Sequence, residues 1–336
     1  MKISVVILTF NLEEYIEDAL NSVLNQTLPA FEIILADDGS TDNTVAKAQG
    51  LHSELITLAK RTNQGALLNG LDGLIAARGD VVCFLDGDDV WEPNKLEVVA
   101  NEFSNRLDLV ILSHKHIRVD INLEPLNIRD DTHANIERIE QLCEERIYEE
   151  LRKSLIERRG YWLGSAYSIR RSKLNLDRFA NLVRSHPDVS YGYLDLVLGP
   201  FMAITNNQGL VGYTPMTTLY YRIHGGASAS QLSERGALLG LRRVIAINRL
   251  TRHCLERSGA RRETLLRYDL LIQRACYLKE LYFGNKLNSL LMFLRLVKEL
   301  LNEGGYDFGK EFLRLIVCML FGLKGIIWLK RFRSRI

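Results

Sequence analysis

The chain has 336 residues, of which 47% are hydrophobic and 25% charged. This composition is ordinary for a soluble globular protein, and no stretch approaches the about 18 uncharged residues that a membrane-spanning helix needs. The length exceeds that of a typical single core and predicts one larger domain with an appendage. The net charge of +2 hides an asymmetry, because residues 1–100 carry 6 Lys and Arg against 16 Asp and Glu, whereas residues 231–336 carry 21 against 9. The two ends of the chain are therefore expected to meet different partners.

The cysteines and the N-terminal segment indicate a cytoplasmic protein. The apolar stretch after Lys2 is only about eight residues long, runs straight into Asn11 and has no small-residue cleavage site, so we interpret it as a first strand and not as a signal peptide. The cysteines lie far apart without metal-type spacing, which favours free thiols in a reducing compartment. They are Cys83, Cys143, Cys254, Cys276 and Cys318.

The first part of the chain predicts a βαβ unit. Residues 3–10 and 31–36 are apolar runs typical of buried strands, and residues 15–24 carry apolar side chains at helical spacing between them. Asn11, with Glu14 three residues later, predicts a capping box at the start of this helix. Polar residues follow each strand, which is the arrangement of a ligand site at one edge of a sheet.

Two acidic clusters follow predicted strands. Asp37 and Asp38 come after the second strand, and Asp86, Asp88 and Asp89 come after the apolar run at 81–85. Like charges at this spacing repel each other, so a cation is expected to neutralise them. Mg²⁺ typically takes one or two carboxylates plus substrate phosphates. Taken alone, the second cluster fits either a metal site or a solvated acidic turn.

Later segments are less regular. Further strands are predicted at 54–58 and 109–113, followed by a charged amphipathic helix over residues 136–159 that we expect on the solvated surface. The pattern of residues 160–225 predicts strand-like segments broken by glycines. Beyond Leu232 the pattern predicts helices almost to the end of the chain.

The order and spacing of the motifs resemble family 2 glycosyltransferases of the GT-A fold across residues 3–225. The segments that carry the resemblance are residues 4–11, 22–27, Asp37-Asp38-Gly39-Ser40-Thr41-Asp42, Asn63-Gln64-Gly65, Leu85-Asp86-Gly87-Asp88-Asp89, 164–165, 169–171, 195–198 and 220–224. The resemblance implies an α/β fold, namely a Rossmann-like nucleotide-sugar-binding domain with a central, mostly parallel mixed sheet, plus a C-terminal helical region. We expect the GT-A domain at 1–230, with its nucleotide-sugar half at 1–112 and its acceptor half at 113–230, and a basic helical region at 231–336.

The resemblance also implies an activity. The expected reaction is metal-dependent, inverting transfer of a sugar from a UDP- or dTDP-sugar to a hydroxyl of a glycan or lipid-linked saccharide, in bacterial surface polysaccharide synthesis. Because the leaving diphosphate gathers negative charge, Mn²⁺ or Mg²⁺ is the expected cofactor. No nucleic-acid partner is expected.

Metal and phosphate contacts are assigned through the DxD-type motif and the closing element at 220–226. By resemblance, Asp88 is the metal ligand, and Asp86 is a donor contact and second ligand. Asp89 is expected to support the turn. His224 is expected near the metal or diphosphate, and Arg222 is expected to bind phosphate oxygens as a planar fork. Residues 225–230 are predicted to close over the donor as a lid.

Nucleotide contacts are expected at the ends of the first two strands. Asp38 matches the family aspartate that accepts a hydrogen bond from the nucleobase, whose imide N–H is a donor. Thr9 and Asn11 are expected to line the same pocket, and Asn63 and Gly65 are further donor-binding residues. A simple turn after the strand would also explain Asp38, and a helix cap would explain Asn11.

The catalytic base is predicted at Asp195. An inverting transfer needs a carboxylate to take the acceptor's proton, and apolar neighbours are expected to raise the pKa of Asp195. A helix-start aspartate is the simpler alternative, and Asp188 is the fallback base. Leu194 replaces the family's glutamate here, and the family's frequent Arg-Asn pair falls on Gly70 and Leu71.

Two rival functions and one further partner stay open. The Asp86 motif also fits a haloacid-dehalogenase-like phosphatase with Asp86 as nucleophile, and the departures from the family pattern fit a non-catalytic nucleotide-sugar-binding protein.

Residues 311–336 combine an apolar face with basic residues near the end of the chain. This pattern favours an interfacial helix at the inner face of the plasma membrane, although packing on the catalytic domain is the alternative.

Overall fold

The computed structural model describes residues 1–126, 138–142, 164–206, 209–224 and 234–301. The strands are β1 (Ile3–Thr9), β2 (Glu32–Asp37), β3 (Ile56–Ala59), β4 (Val81–Asp86), β5 (Val90–Trp91), β6 (Leu109–Val119), β7 (Arg138–Leu142), β8 (Tyr167–Arg170) and β9 (Gly209–Arg222). The α-helices are α1 (Ile16–Leu24), α2 (Thr44–Leu51), α3 (Ala66–Ala76), α4 (Lys95–Asn105), α5 (Leu176–Arg184), α6 (Leu194–Thr205), α7 (Glu234–Ser258), α8 (Arg262–Phe283) and α9 (Lys286–Leu301).

The strands of these segments form a single mixed sheet. Its order is β3-β2-β1-β4-β8-β6-β9-β5, with β7 paired to β9. The first four strands are parallel. Strand β8 is antiparallel to both β4 and β6, and β9 is parallel to β6, so β6 and β9 run in the same direction as the first four. The prediction of an α/β fold with a central, mostly parallel mixed sheet is confirmed.

The sheet is covered on both faces, which explains its apolar strands. Val5 and Val6 are both fully buried but belong to different core clusters, because successive side chains of a strand point to opposite faces. Helices α3, α5 and α6 pack on the face of Val6, and α1 and α4 pack on the face of Val5. Strands buried on both sides carry near-continuous hydrophobic runs, as observed for the parallel part of this sheet.

Strand register places the polar ends of three strands at one rim. Thr9 of β1 lies opposite Asp37 of β2, and Leu8 lies opposite Asp86 of β4. The residues that follow these strands therefore emerge side by side. In parallel α/β sheets this carboxyl edge is where ligands bind.

The helix predicted over residues 136–159 is wrong at its start. Residues Arg138–Leu142 form β7, which pairs antiparallel with β9, and the rest of that interval lies outside the described residues. Ile139 lies opposite Gly212, where a Cβ would come within 3.0 Å of the Ile139 Cδ1 atom. Pairing with an available strand edge therefore outweighs the local helical pattern.

The strand-like interpretation of residues 160–225 is correct for β8 and β9 and wrong for α5 and α6. Helix α6 is almost entirely apolar and contains Pro200. A buried apolar segment cannot be assigned to helix or strand from periodicity, and an internal proline weakens the helical signal further. Burial of α6 against the sheet decides the outcome.

The predicted C-terminal helical region is confirmed as far as residue 301. Leu250 and Cys254 of α7 are buried in the core cluster between the sheet and α3. Helices α8 and α9 form a separate cluster around Tyr277 and Phe293. None of the helices placed in the structure has the length and apolar character needed to cross a membrane. The predicted interfacial segment at 311–336 lies outside the described residues, as does the lid at 225–230.

Candidate functional site

A cavity of about 630 Å³ opens at the carboxyl edge of β1 and β4. Its walls come from α3, the turn at Val189–Tyr191, the start of α6, the end of β9 and α7. The predicted site residues that line it are Thr9, Asp38, Asn63, Gly65, Asp86, Asp88, Asp195 and His224. Groups from widely separated parts of the sequence therefore meet in one site, whereas Asn11 and Arg222 do not line it.

The DxD-type carboxylates lie together in this cavity with little compensating charge. Burial raises the pKa of Asp86 to about 7, and repulsion from Asp88 and then from Asp195 contributes to the shift. His224 approaches Asp88, with 2.9 Å between Nε2 and the Asp88 Oδ2 atom. A cation between the two carboxylates would relieve this repulsion.

The donor set fits a divalent cation that shares its coordination with a substrate. No cluster of three or more His, Cys, Asp or Glu side chains with metal-binding geometry occurs in the described part of the chain. A Mg²⁺ or Mn²⁺ ion held by a protein usually takes one or two carboxylates and fills its other positions with waters and phosphate oxygens. Asp86 and Asp88 meet this requirement, provided that a diphosphate occupies the rest of the cavity.

Asp89 has a supporting position behind these carboxylates. It is fully buried, and its Oδ1 atom accepts a hydrogen bond from the backbone N–H of Arg222 at 3.0 Å. Its own backbone N–H donates to the Asp86 carbonyl at 3.0 Å. Burial, with repulsion from Asp88 and Asp86, raises the pKa of Asp89. Asp89 therefore joins the acidic turn to the end of β9, in the place expected for a residue that supports the turn.

Asp38 builds the neighbouring loop as well as lining the cavity. Its carboxylate accepts hydrogen bonds from the backbone N–H groups of Gln64 at 2.9 Å and Gly65 at 2.8 Å, and Lys60 Nζ lies 3.4 Å from Oδ1. Gly65 has a φ of 100°, and a Cβ there would lie 2.2 Å from the Ser190 carbonyl oxygen. Glycine at this position lets the loop approach the turn that forms the opposite wall.

Two buried polar atoms in the cavity have no hydrogen-bond partner within the described residues. They are Thr9 Oγ1, which the sequence predicted as a pocket residue, and Asn69 Oδ1, which it missed. The Asn69 amide nitrogen donates to the Ala36 carbonyl at 2.6 Å, which fixes the orientation of the side chain. Unpaired buried polar groups call for a partner, and a bound ligand would supply it here. A single asparagine in the apolar helix α3 was the available sequence signal.

Asn11 organises the loop beside the cavity. Its Oδ1 atom accepts a hydrogen bond from the backbone N–H of Thr41 at 2.8 Å, and its φ is 53°. Helix α1 begins only at Ile16, with Tyr15 as N-cap and no side-chain cap, so the predicted capping box is wrong. The cross-loop hydrogen bond occupies the side chain that the capping box requires.

Arg222 is buried below the cavity. Its Nη2 atom lies 2.8 Å from the Asp18 carboxylate, and its guanidinium lies 4.8 Å from the centre of the Tyr15 ring. The structure therefore gives the predicted phosphate fork a carboxylate partner in α1. Tyr15 also contacts His224, with 4.6 Å between the ring centres and 46° between the ring planes, so Arg222 supports the imidazole through Tyr15.

Asp195 lies in the first turn of α6 and lines the cavity. Burial raises the pKa of Asp195 to about 6, although backbone N–H groups at the helix start, including that of Leu196, oppose the shift. The predicted base and the simpler helix-start interpretation are therefore both compatible with its position. Asp188, the fallback base, does not line this cavity.

The departures from the family pattern lie against each other. Gly70 of α3 faces Leu194, and a Cβ on Gly70 would lie 3.0 Å from the Leu194 Cδ2 atom. Leu71 is fully buried in the core cluster on the same face of the sheet. An apolar contact thus occupies the place where the family pattern would put charged and polar side chains.

Sequence reasoning missed other cavity residues. Phe10 follows β1 and is 42% exposed at the cavity, so its ring is available to stack on a ligand. Arg243 reaches the cavity from α7, and its Nη1 atom donates to the Tyr193 hydroxyl at 3.2 Å. Phe10 follows the first strand in a motif that the resemblance quotes, whereas nothing in the local sequence of α7 marks Arg243.

Comparison with known proteins adds a family match. A family model described as glycosyl transferase family 2 matches residues 4–172, about half of the chain. An uncharacterized glycosyltransferase from Nostoc sp. is 40% identical over 120 residues, which cover 35% of this chain and 37% of that protein. The putative teichuronic acid biosynthesis glycosyltransferase TuaG from Bacillus subtilis is 37% identical over 98 residues, which cover 28% of this chain and 39% of TuaG. The matched segments span less than half the length of these relatives.

Solved structures share the architecture. The crystal structure of S. aureus TarS 1-349 in complex with UDP-GlcNAc superimposes with a TM-score of 0.54 at 17% sequence identity. The superposition covers 91% of this chain and 93% of TarS 1-349. At this identity the similarity establishes a common fold, including the helices that follow the sheet.

Proposed function

Because the chain belongs to glycosyl transferase family 2 and has the GT-A fold, we propose that it is a metal-dependent, inverting glycosyltransferase. Its donor is a UDP- or dTDP-sugar, and its acceptor is a hydroxyl of a glycan or lipid-linked saccharide. The observation that carries the proposal is the single cavity of about 630 Å³ in which Asp38, Asp86, Asp88 and Asp195 meet. The proposal requires the carboxylates assigned to nucleotide binding, diphosphate binding and proton transfer to lie in one cavity, and the shared lining supports it.

The nucleotide end of the donor is assigned to the rim of β1 and β2. Asp38 retains lone pairs beyond those used by the loop and can accept the imide N–H of uracil or thymine. Thr9 and Asn69 offer unpaired polar atoms beside it, and the exposed ring of Phe10 offers a stacking surface. Support for a uridine nucleotide also comes from TarS, which was crystallised with UDP-GlcNAc.

The diphosphate end is assigned to Asp86, Asp88 and His224. A divalent cation bound there would neutralise charge on the diphosphate as it leaves. Asp88 holds this position through its contact with His224, and Asp89 fixes the turn that carries both carboxylates. Arg222 contributes indirectly, because its stack on Tyr15 supports the imidazole.

Asp195 is assigned as the base. A single displacement that inverts the anomeric centre requires the acceptor hydroxyl to lose its proton as it attacks from the face opposite the diphosphate. The Asp195 carboxylate can accept this proton above a pKa of about 6. Its place at the start of α6 puts it in the same cavity as Asp86 and Asp88, which the assignment requires of a base that acts next to the leaving diphosphate.

The acceptor class and the cellular location are assigned from a relative and from the C-terminal helices. One relative is named for teichuronic acid biosynthesis, which favours a role in surface polysaccharide synthesis. Leu287, Leu291 and Leu294 form an exposed apolar stripe on α9, just before the basic and apolar segment at 311–336. This stripe supports cytoplasmic location at the inner membrane face, where lipid-linked acceptors are available.

A thermal-shift titration tests the donor assignment. UDP with Mn²⁺ is expected to stabilise the protein, and UDP in the presence of a chelator is expected to do so much less. Asp88→Asn should abolish the metal-dependent part. Asp80→Asn, at the opposite end of β4, is the matched control and should behave as the parent. Equal shifts with and without metal would contradict the metal assignment.

An activity assay separates the rivals. Release of UDP from UDP-GlcNAc or UDP-glucose supports a transferase, whereas UDP binding without any turnover would favour the non-catalytic alternative. The match to family 2 covers the Asp86 motif as part of a glycosyltransferase domain, and nothing in the cavity favours the phosphatase alternative.

A further inference from the structure

The acid-rich cavity contains one Lys or Arg side chain within the described residues, and it comes from the C-terminal helices. Arg243 of α7 donates to the Tyr193 hydroxyl, and its guanidinium lies 6.0 Å from the centre of the Tyr193 ring. Tyr193 is two residues before Asp195. The positive charge therefore lies beside the turn that leads into the base.

A second cavity of about 300 Å³, which we call the outer cavity, adjoins the first, and the turn at 188–190 and helix α7 contribute residues to both. Arg242, Arg249 and Lys279 line it, together with the single acidic residue Asp188. The Asp188 carboxylate lies 4.0 Å from Arg249, which is too long for a hydrogen bond. Neither Arg242 nor Lys279 has a hydrogen bond or ion pair to any described residue. We call this set of cations, Arg242, Arg249 and Lys279, the basic subsite.

The two cavities are separated by one turn of chain. Asp188 faces the outer cavity, and Ser190, two residues later, faces the inner one. On α7 the neighbours Arg242 and Arg243 likewise face the outer and the inner cavity. Because consecutive Cα atoms are about 3.8 Å apart, the two cavities adjoin each other both at this turn and along α7. An acceptor that extends from Asp195 past Tyr193 would therefore run toward the basic subsite.

We propose that the basic subsite binds an anionic group of the acceptor, a phosphate ester or a carboxylate, while the reacting hydroxyl lies at Asp195. Arginine pairs with both groups through two parallel N–H donors, and Arg242 and Arg249 lie on the same face of α7, two turns apart. The donor diphosphate is assigned to Asp86, Asp88 and His224, none of which lines the basic subsite, so the donor does not need this subsite. This inference rests on the proposed function, because it takes the acceptor to enter beside Asp195.

Cys276 provides a local reporter. It lines the basic subsite and is half-buried, whereas Cys83 and Cys254 are buried. Burial raises the pKa of Cys276, so labelling with methyl methanethiosulfonate is run at about pH 8.5, and peptide mass spectrometry assigns the modified cysteine. The full chain is used, with saturating UDP and Mn²⁺ so that the donor site is occupied.

Three probes are titrated against the labelling rate: glycerol 1-phosphate, methyl β-D-glucuronide and the neutral methyl β-D-glucoside. An anionic probe at ten times its dissociation constant leaves about a tenth of the subsite free, so labelling of Cys276 should slow about tenfold. The glucoside should have no effect. Vesicles of phosphatidylglycerol form a separate arm, and protection by these alone would assign the anion to a lipid headgroup.

The variants locate the effect. Arg242→Ala/Arg249→Ala should raise the dissociation constant of the anionic probe at least tenfold, because each lost charged hydrogen bond costs about a factor of ten. Arg257→Ala/Arg262→Ala removes the same charge from exposed positions outside the cavity and should retain protection. Equal protection by the neutral glucoside, or unchanged protection in the first double variant, would overturn the proposal.

This result is independent of the transferase assay. UDP binding is assigned to the rim of β1, β2 and β4 and does not involve Arg242 or Arg249, so the thermal shift with UDP and Mn²⁺ should be unchanged in the first double variant. Transfer to an anionic acceptor should weaken together with the protection of Cys276. Protection of Cys276 in a protein without turnover would retain the basic subsite and reject the enzyme. Turnover without protection would reject the subsite and retain the enzyme.

Discussion

The two acidic clusters at the rim of the sheet resemble each other in sequence but differ in their surroundings. After β2, Asp37 accepts hydrogen bonds from the backbone N–H groups of Gly39 and Ser40, and Asp38 accepts them from Gln64 and Gly65. After β4, burial and mutual repulsion raise the pKa values of Asp86 and Asp89 instead. The first cluster already has its donors, whereas the second lacks positive charge.

This difference indicates how a carboxylate cluster should be interpreted. Backbone N–H donors stabilise an ionised carboxylate without any ligand, so the first cluster builds loops and presents only its remaining lone pairs. A cluster whose charges repel each other is stable only with a proton or a cation. The second cluster is therefore the part of the site that we expect to depend on metal. Removal of a carboxylate should cost stability at the first cluster, whereas at the second cluster it should cost turnover and leave the stability of the metal-free protein intact.

The largest expected effect is that of Asp88→Asn on the second cluster. The amide keeps the shape but loses the charge that binds a cation, so we expect donor turnover to fall by about 10³-fold, the cost of losing one transition-state charge contact. The metal-free variant should be at least as stable as the parent, because one repulsive charge is gone. UDP release and thermal unfolding in chelator measure the two quantities.

A drop in metal-free stability together with lost turnover would mean that Asp88 supports the fold. Asp80→Asn serves again as control, since it changes an aspartate at the amino end of the same strand and should leave turnover intact.

Asp195→Asn should have the next largest effect, on catalysis alone. Removal of a general base typically costs 10²–10⁴-fold, so we expect kcat to fall by about 10³-fold. Because Asp195 is assigned neither to the nucleotide nor to the metal, UDP with Mn²⁺ should still stabilise this variant. A parallel loss of UDP binding would show that the carboxylate acts through the structure of α6.

The same residue sets the pH dependence when saturating Mn²⁺ keeps Asp86 ionised. A base must be ionised, and the Asp195 carboxyl ionises above its pKa of about 6. The kcat/KM of the enzyme is therefore expected to fall as pH decreases through about 6 and to reach a plateau above it. An unperturbed aspartate would give the same fall near pH 4. A profile of UDP release from pH 4.5 to 8 distinguishes these two cases.

The part of the site at the carboxyl ends of β1, β2 and β4 was predictable, because parallel strands align their ends. Thr9, Asp38, Asp86 and Asp88 all follow apolar runs, and the sheet brings such positions to one edge whatever the intervening sequence. Arg243 was not predictable, since its place in the cavity depends on how α7 packs against the sheet. Local patterns carry no information on that packing, and the same is true of the strand β7.

Asn11 and Arg222 have protein partners where the sequence predicted ligand contacts, and the two cases have a common physical reason. Each side chain has the chemical groups that the predicted ligand contact requires, but a protein partner already uses those groups. Asn11 bonds to the Thr41 backbone, and Arg222 pairs with Asp18, which lies 204 residues away in the chain. A sequence motif fixes the residue type but not the nearest partner.

Asp38→Ala should chiefly affect stability, in contrast to Asp88→Asn. It leaves the N–H groups of Gln64 and Gly65 without their buried acceptor, which typically costs about 1–3 kcal/mol. Loss of the loop should also weaken UDP binding, with or without metal. Urea unfolding at equilibrium gives the stability change. A fully stable variant would show that the loop is held by Gly65 and its neighbours alone.

The smallest expected effect concerns the apolar contact between α3 and α6. In the parent, Gly70→Ala places a methyl group 3.0 Å from the Leu194 side chain, so the gain in helix propensity of about 1 kcal/mol should be largely cancelled. In a Leu194→Ala background the contact is relieved, and Gly70→Ala should stabilise by about 1 kcal/mol. Urea unfolding of the four proteins gives the coupling free energy, which is positive if the two departures from the family pattern compensate each other. Additive effects would mean that glycine and leucine arose at these positions independently, and the missing charged pair would then need another explanation.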